Sequence, residues 1–280
     1  MYTLKERYQS LQDRIMRACH KSGRHPTDIQ LIWVSKTQPA AALVEAYSLG
    51  ARDFGESRVQ EVLAKQDELA HLLYPAPFFP VARGAFVAES NPKFFNGTIL
   101  TDPDLLNNQN NMLSSSLYPS HPVRLHFIGR LQSNKVRKIL PYCFAIHSID
   151  SLGLLMRVSQ ISQELGISSK VFLECNMWQE ASKAGLTPQD WAIELQKIWP
   201  LSGLTLQGLM TMAPYGADPT SLRKGFAQLA KFSDQLKTQL SLPDLKLSMG
   251  MSADFEFAIE EGSHYIRVGT ELFGDRGGNV

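Results

Sequence analysis

Cysteine is scarce in this chain and poorly spaced for any structural use. There are three, Cys19, Cys143 and Cys175, too few and too far apart for a disulfide framework or a metal-ligand set. They fit free thiols in a reducing cytoplasm, which is the expected location. Net charge is equally thin, with 28 basic against 27 acidic side chains leaving +1. No global field therefore draws the protein to nucleic acid or to an anionic membrane. No run of about 18 apolar residues occurs, so no membrane span is expected. The stretch Met1 to Arg7 is too polar for a secretory signal. Also missing are a glycine-rich dinucleotide fingerprint after a strand, a phosphate-loop lysine motif and a His-Glu-x-x-His pair. Their absence removes the usual sequence grounds for a nucleotide enzyme or a zinc hydrolase.

What is present is an ordinary apolar fraction, 44%, enough for a substantial core. The 280 residues suit one large domain; a (β/α)8 barrel takes about 250. Residues 3–21 read as an amphipathic helix, with Leu4, Tyr8, Leu11, Ile15 and Ala18 at helical spacing and Gly23 and Pro26 beyond. An alternation follows. Short apolar strands are expected at 30–35, 51–54, 124–128, 143–147, 170–175, 203–210, 245–248 and 264–268. Helices are expected at 39–49, 56–70, 133–140, 150–165, 188–198, 219–240, 253–261 and from 270. Strands alternating with helices argue for a parallel sheet with helices outside. Eight units argue for an α/β fold of the closed (β/α)8 TIM type. Chemistry in such a barrel sits at the C-terminal ends of the strands. Lys36, Gly129, Ser148, Met210, Ser248 and Gly269 fall at the expected ends.

Residues 72–122 interrupt the rhythm. They hold seven of the 15 prolines, six asparagines, five phenylalanines and only five charged residues. Such a composition disfavours long helices and strands, and a loop of this length is unusual inside a compact domain. The stretch reads as an insertion that packs its phenylalanines locally, as a lid or partner surface, or as a poorly ordered segment. It follows a helix rather than a strand, which argues against a lid. One barrel domain over 1–280, interrupted here, is the expected organisation.

Two features point to chemistry. The apolar strand Leu31-Ile32-Trp33-Val34 delivers Ser35-Lys36-Thr37 to its end, and a partly desolvated lysine there is a nucleophile for a carbonyl. Far along the chain stand Leu247-Ser248-Met249-Gly250-Met251-Ser252-Ala253-Asp254 and Arg267-Val268-Gly269-Thr270. Small and hydroxyl residues of this kind can surround a phosphate with N–H and O–H donors. Lysine and phosphate site together suggest pyridoxal 5'-phosphate (PLP), an aldehyde that carries a phosphate. Arg267 and Gly269 share one face of their strand. A salt bridge from Arg267 to Glu271 or Asp254 is the bland alternative.

Val34-Ser35-Lys36-Thr37, Phe54-Gly55-Glu56, His126-Phe127-Ile128-Gly129 with Leu131-Gln132-Ser133-Asn134-Lys135, Gly208-Leu209-Met210, Ser248 to Asp254, and Arg267 to Thr270 stand in this order. The chain resembles the pyridoxal phosphate homeostasis proteins, relatives of the N-terminal barrel of alanine racemase. The resemblance spans nearly everything except about 72–122. It implies Lys36 as the residue joined to PLP in an internal aldimine, and Ser248, Gly250, Met251, Ser252, Gly269 and Thr270 as the phosphate site. It implies Arg267 on the pyridine nitrogen, where an arginine keeps that nitrogen unprotonated and weakens the electron sink. It implies that His126, Ser148, Asn176 and Met210 wall the ring, with Lys183 and Gly185 in a loop after strand 5. Ser57 departs from the family's asparagine and puts one contact in doubt.

The resemblance further implies a PLP buffer or carrier that affects amino-acid and keto-acid pools, without robust turnover. The chain runs out soon after the eighth unit, so the second β-domain that lends alanine racemases a tyrosine base is not expected. A PLP-dependent amino-acid racemase or decarboxylase is the rival reading, and a partner-binding module built on the insertion is a weaker third. PLP and PLP-dependent apo-enzymes are the expected partners of an expected monomer.

Overall fold

The computed structural model describes residues 2–73, 123–180, 183–242 and 244–274; most of the insertion lies outside them. Eight parallel strands close into a barrel in sequence order. They are β1 (Gln30–Val34), β2 (Asp53–Glu56), β3 (Arg124–Phe127), β4 (Ala145–Ile149), β5 (Ser169–Glu174), β6 (Leu204–Met210), β7 (Lys246–Met251) and β8 (Tyr265–Val268). Ile32 opposite Arg267 and Trp33 opposite Val268 close the ring between β1 and β8.

The first helix, α1 (Leu4–Ser22), starts on a capping box between Thr3 and Glu6 and stops where Gly23 turns left-handed at φ 68°. Around the barrel follow α2 (Ala40–Ser48), α3 (Val59–Leu73), α4 (Val136–Ile139), α5 (Leu152–Leu165), α6 (Pro188–Ile198), α7 (Pro219–Leu240), α8 (Phe255–Glu260) and α9 (Thr270–Phe273). Arg14 on α1 bonds Glu256 at 2.8 Å and Glu271 at 2.5 Å, fastening α1 over α8 and α9. The helix expected at 133–140 is broken into 3-10 turns on either side of α4; Pro141 has no N–H to continue the ladder.

Three strands differ by two residues or more from their expected bounds. β2 starts at Asp53, so Phe54-Gly55-Glu56 is the strand itself, buried at every position. β4 runs on to Ile149 and β7 to Met251. Ser148 and Ser248 are therefore inside strands rather than at their ends.

The main apolar core lies between strands and helices and includes Leu11, Trp33, Leu43, Phe54, Trp191 and Phe226. The barrel interior is different. A small cluster of Ala145, Phe172 and Met210 shares it with buried polar groups, Asp53, His126, His147, Ser248 and Arg267. Contacts between non-adjacent strands place these groups inside: His147 on β4 reaches Ser248 on β7 and Tyr265 on β8.

Candidate functional site

Lys36 stands two residues past the end of β1 and is half-buried. Its two neighbours are held from below. Ser35 is fully buried; its Oγ donates to Glu56 Oε1 at 2.6 Å, and its carbonyl accepts from Lys65 Nζ at 2.6 Å. Lys65, on α3, also bonds Glu56 Oε1 at 2.7 Å. On the other side Thr37 has φ 68°, a left-handed backbone that is costly for a β-branched residue, of order 1–3 kcal/mol. Its N–H donates to Glu61 Oε2 at 2.8 Å. β2 and α3 thus fix the backbone on both sides of the lysine.

Lys36 lines a cavity of about 410 Å³ at the mouth of the barrel, within the usual small-molecule range of roughly 300–1,000 Å³. The other walls include Ser57, Met251, Ser252, Ala253, Arg267, Gly269 and Thr270. A turn shapes the loop after β7: Met251 N–H donates to the Asp254 carboxylate at 2.5 Å, and Asp254 N–H returns to Met251 O at 3.1 Å. Gly250 stands behind it at φ 96°, where a Cβ would lie 2.8 Å from Phe255 Cα. Only glycine takes that conformation in that space.

Arg267 is the charge of this cavity. It is 4% exposed, and burial lowers it to about 10, so it remains a cation at neutral pH. Its Nη1 donates to Ser248 Oγ at 2.6 Å and its Nη2 to Thr211 O at 2.9 Å. Among the described residues no carboxylate pairs with it directly. Asp254 and Glu174 act on it only at longer range, and Glu271 is taken by Arg14. Neither bland salt bridge is made. Glu174, at the end of β5, is pushed up to about 7 by burial and by the neighbouring charge of Asp150. A larger cavity, about 710 Å³, adjoins this one at Ser57 and is lined by Arg58, Arg130, Gln132 and Lys135. Arg58 and Arg130 are largely exposed there. The smaller cavity is the better site because the strand-end lysine and the buried cation meet in it.

Of the residues named from sequence, Lys36, Met251, Ser252, Arg267, Gly269 and Thr270 share this wall. The others lie elsewhere. His126 and Ser248 are wholly buried in the barrel interior. Met210 packs there with Phe172. Ser148 Oγ donates to Gly129 O, and Gly250 packs against α8. Asn176 bonds Glu180 in the loop after β5, where Lys183 N–H also bonds Glu180 O. Sequence reasoning missed Lys65 and Glu61, which read as solvated charges on a helix. It also missed His147, next to the Ser148 that was named. The signal there was strand parity: of two adjacent strand residues only one faces the interior.

A family model described as the alanine racemase N-terminal domain matches residues 9–277. The chain belongs to that family. Within it, the pyridoxal phosphate homeostasis protein of Pseudomonas aeruginosa is 34% identical over 277 residues, covering 99% of this chain and 97% of that protein. The human protein of the same name is 32% identical over 281 residues, covering 96% of this chain and 85% of its own. Among solved structures, PipY of Synechococcus elongatus with PLP bound is 35% identical, with a TM-score of 0.71, covering 97% of this chain and 100% of PipY. An alanine racemase of Clostridium difficile shares the fold at 13% identity and a TM-score of 0.62; this chain spans 58% of its length. No described helix is long and apolar enough to cross a membrane, and no cluster of metal-ligating side chains occurs among the described residues.

Proposed function

We propose that this protein binds PLP and acts in PLP homeostasis, holding and releasing the cofactor rather than turning over amino acids. The observation that carries the reading is the meeting, in one cavity of suitable size, of half-buried Lys36 with Arg267, a buried cation that has no direct carboxylate partner among the described residues. Relatives that match nearly the whole chain bear that functional name, and PipY holds PLP. The residues fit the group. PLP supplies an aldehyde that condenses with a primary amine. Lys36 offers the amine, on a backbone clamped by Glu56, Glu61 and Lys65. Arg267 would donate toward the ring nitrogen and, being unable to give up its proton readily, would leave that nitrogen unprotonated. Ser252 and Thr270 offer hydroxyls, and Ala253 and Gly269 backbone, for the phosphate. Ser248 is taken by His147 and Arg267 and drops out of the phosphate set.

The test is cofactor binding followed by an amino-acid panel. The purified protein is expected to take up PLP with a visible absorbance band and to show no racemase, transaminase or decarboxylase turnover. A rate of about 1 s⁻¹ or above, within the ordinary enzyme range, for any common amino acid contradicts the carrier reading and favours an enzyme.

Thr270→Val and Ser252→Ala should each weaken PLP retention about tenfold or more, since a hydrogen bond to a charged acceptor contributes about 1.5–3 kcal/mol. Met210→Leu, a volume-conserving change inside the barrel, should leave retention unchanged. Equilibrium dialysis at fixed PLP reads all three; equal retention removes the phosphate assignment.

We further read residues 1–280 as one barrel domain interrupted by an insertion at about 72–122, whose first two residues close α3 and whose remainder leads toward β3. β2 and β3 pair directly, with Gly55 opposite His126, so the barrel closes without a strand from the insertion. Replacing 74–122 with a Gly-Ser linker should give a soluble protein that still binds PLP, because closure entropy changes slowly with loop length. A folded variant unable to hold PLP would show that the insertion reaches the cofactor.

A further inference from the structure

The buried polar groups inside the barrel form a single file. At its lower end is Asp53, whose Oδ2 accepts from Arg124 at 2.5 Å and Gln30 at 2.6 Å. Its Oδ1 is 2.7 Å from His126 Nε2. His126 Nδ1 is 2.8 Å from His147 Nε2, and His147 Nδ1 is 2.9 Å from Ser248 Oγ. Ser248 Oγ in turn accepts from Arg267 at 2.6 Å. The four groups between Arg124 and Arg267 are at most 1% exposed, so each proton and lone pair must find its partner within the file.

That requirement gives the file a direction. His126 must carry a proton on Nε2, because a bare lone pair there would face the Asp53 carboxylate. If His126 is neutral, its Nδ1 accepts from His147 Nε2–H, and His147 Nδ1 accepts the Ser248 hydroxyl proton. Ser248 Oγ then receives Arg267, and every group is satisfied. If His126 is a cation, the file reverses. His147 then donates to Ser248 Oγ, which already accepts from Arg267, and the Ser248 proton has no acceptor among the described residues. A buried hydroxyl proton without an acceptor is costly. The reversed file also places a further cation in an interior that already holds Arg267. Burial above all, with the charge of Arg267, pushes His147 well below its ordinary range, in keeping with a neutral ring there. Burial alone would raise Asp53, but the hydrogen bonds from His126 and Arg124 outweigh it and hold the carboxyl low.

We propose that Asp53, His126, His147 and Ser248 are positioning residues, a one-way hydrogen-bond relay donated toward Asp53 that fixes the guanidinium of Arg267 toward the cofactor ring. The coupling to the cofactor rests on the reading above that Arg267 faces the ring nitrogen. Ser248 can hold Nη1 as a pure acceptor only while its own proton is drawn away by His147. Thr211 O holds Nη2, so the guanidinium plane is set at two nitrogens. Asp53 is the remote anion that orients the whole file.

Two measurements decide it. Long-range ¹⁵N–¹H NMR of the cofactor-free protein should show both His126 and His147 as neutral Nε2–H tautomers at neutral pH. A cationic His126, or an Nδ1–H tautomer at either residue, overturns the direction. Second, His147→Phe keeps a ring to stack on Phe172, now 4.1 Å from the His147 ring centroid and nearly parallel, but cuts the file. It should lower PLP affinity about tenfold or more and shift the visible band. His147→Gln, which can donate to His126 and accept from Ser248, should restore most of the affinity. Wild-type affinity and spectrum in a folded His147→Phe protein overturn the coupling. Failure of the wild-type protein to bind PLP overturns the functional reading and the coupling with it, while the tautomers are decided on their own.

Discussion

Lys36→Ala is expected to abolish the covalent PLP complex and with it the visible band, leaving only weak non-covalent retention. The other cavity residues cannot replace it. Arg267 is a guanidinium, which does not readily yield a free amine, and among the described residues no other lysine lines this cavity. The barrel should tolerate the change. Lys36 is half-buried on a loop whose structure comes from its neighbours, Ser35 and Thr37, through Glu56, Lys65 and Glu61. The variant should therefore melt near the wild type while dialysing free of PLP. A Lys36→Ala protein that keeps the visible band would place the reacting amine elsewhere.

The second large effect concerns stability. Lys65→Met is expected to destabilise the fold by about 3–5 kcal/mol at neutral pH, the usual result of removing one partner of a buried ion pair. The Lys65 side chain is 7% exposed and that of Glu56 0%. The variant strands Glu56 and also leaves the Ser35 carbonyl without its donor. Burial already raises Glu56 above its ordinary value of 4.5, with Lys65 pulling the other way; without Lys65 it rises further. A carboxyl raised in the folded state weakens the fold as pH climbs through the raised value and does no harm once protonated. The gap between variant and wild type should therefore be widest at neutral pH and shrink toward pH 4.5. Denaturant melts across that range read the effect. A gap independent of pH would mean that Glu56 is not the group left exposed to the loss. Because Ser35 precedes Lys36, PLP retention should fall in the same variant.

The barrel was legible in the sequence because short apolar strands alternate with amphipathic helices, and two helices, α6 and α7, match their expected spans residue for residue. Lys36 was legible because an apolar strand ends at it. Arg267 was legible because it shares a face with Gly269. The barrel interior was not. Parallel strands covered on both faces read as continuous apolar runs, and single polar residues within them, Asp53, His126 and His147, carry no local sign of facing one another across the ring. Ser248 was read as a strand end because β7 was expected to stop there; it continues to Met251, which turns Ser248 inward. Lys65 looks like a solvated helix lysine until the closed barrel sets it over Glu56. Each of these misses is a tertiary contact, which no local spacing encodes.

The central claim is that Lys36 is the amine that holds PLP. Borohydride reduction of the PLP-loaded protein, followed by digestion and mass spectrometry, tests it directly. The expected result is a single phosphopyridoxyl group on the peptide carrying Lys36. A label on another lysine, or no label from a protein that has visibly taken up PLP, would contradict the account.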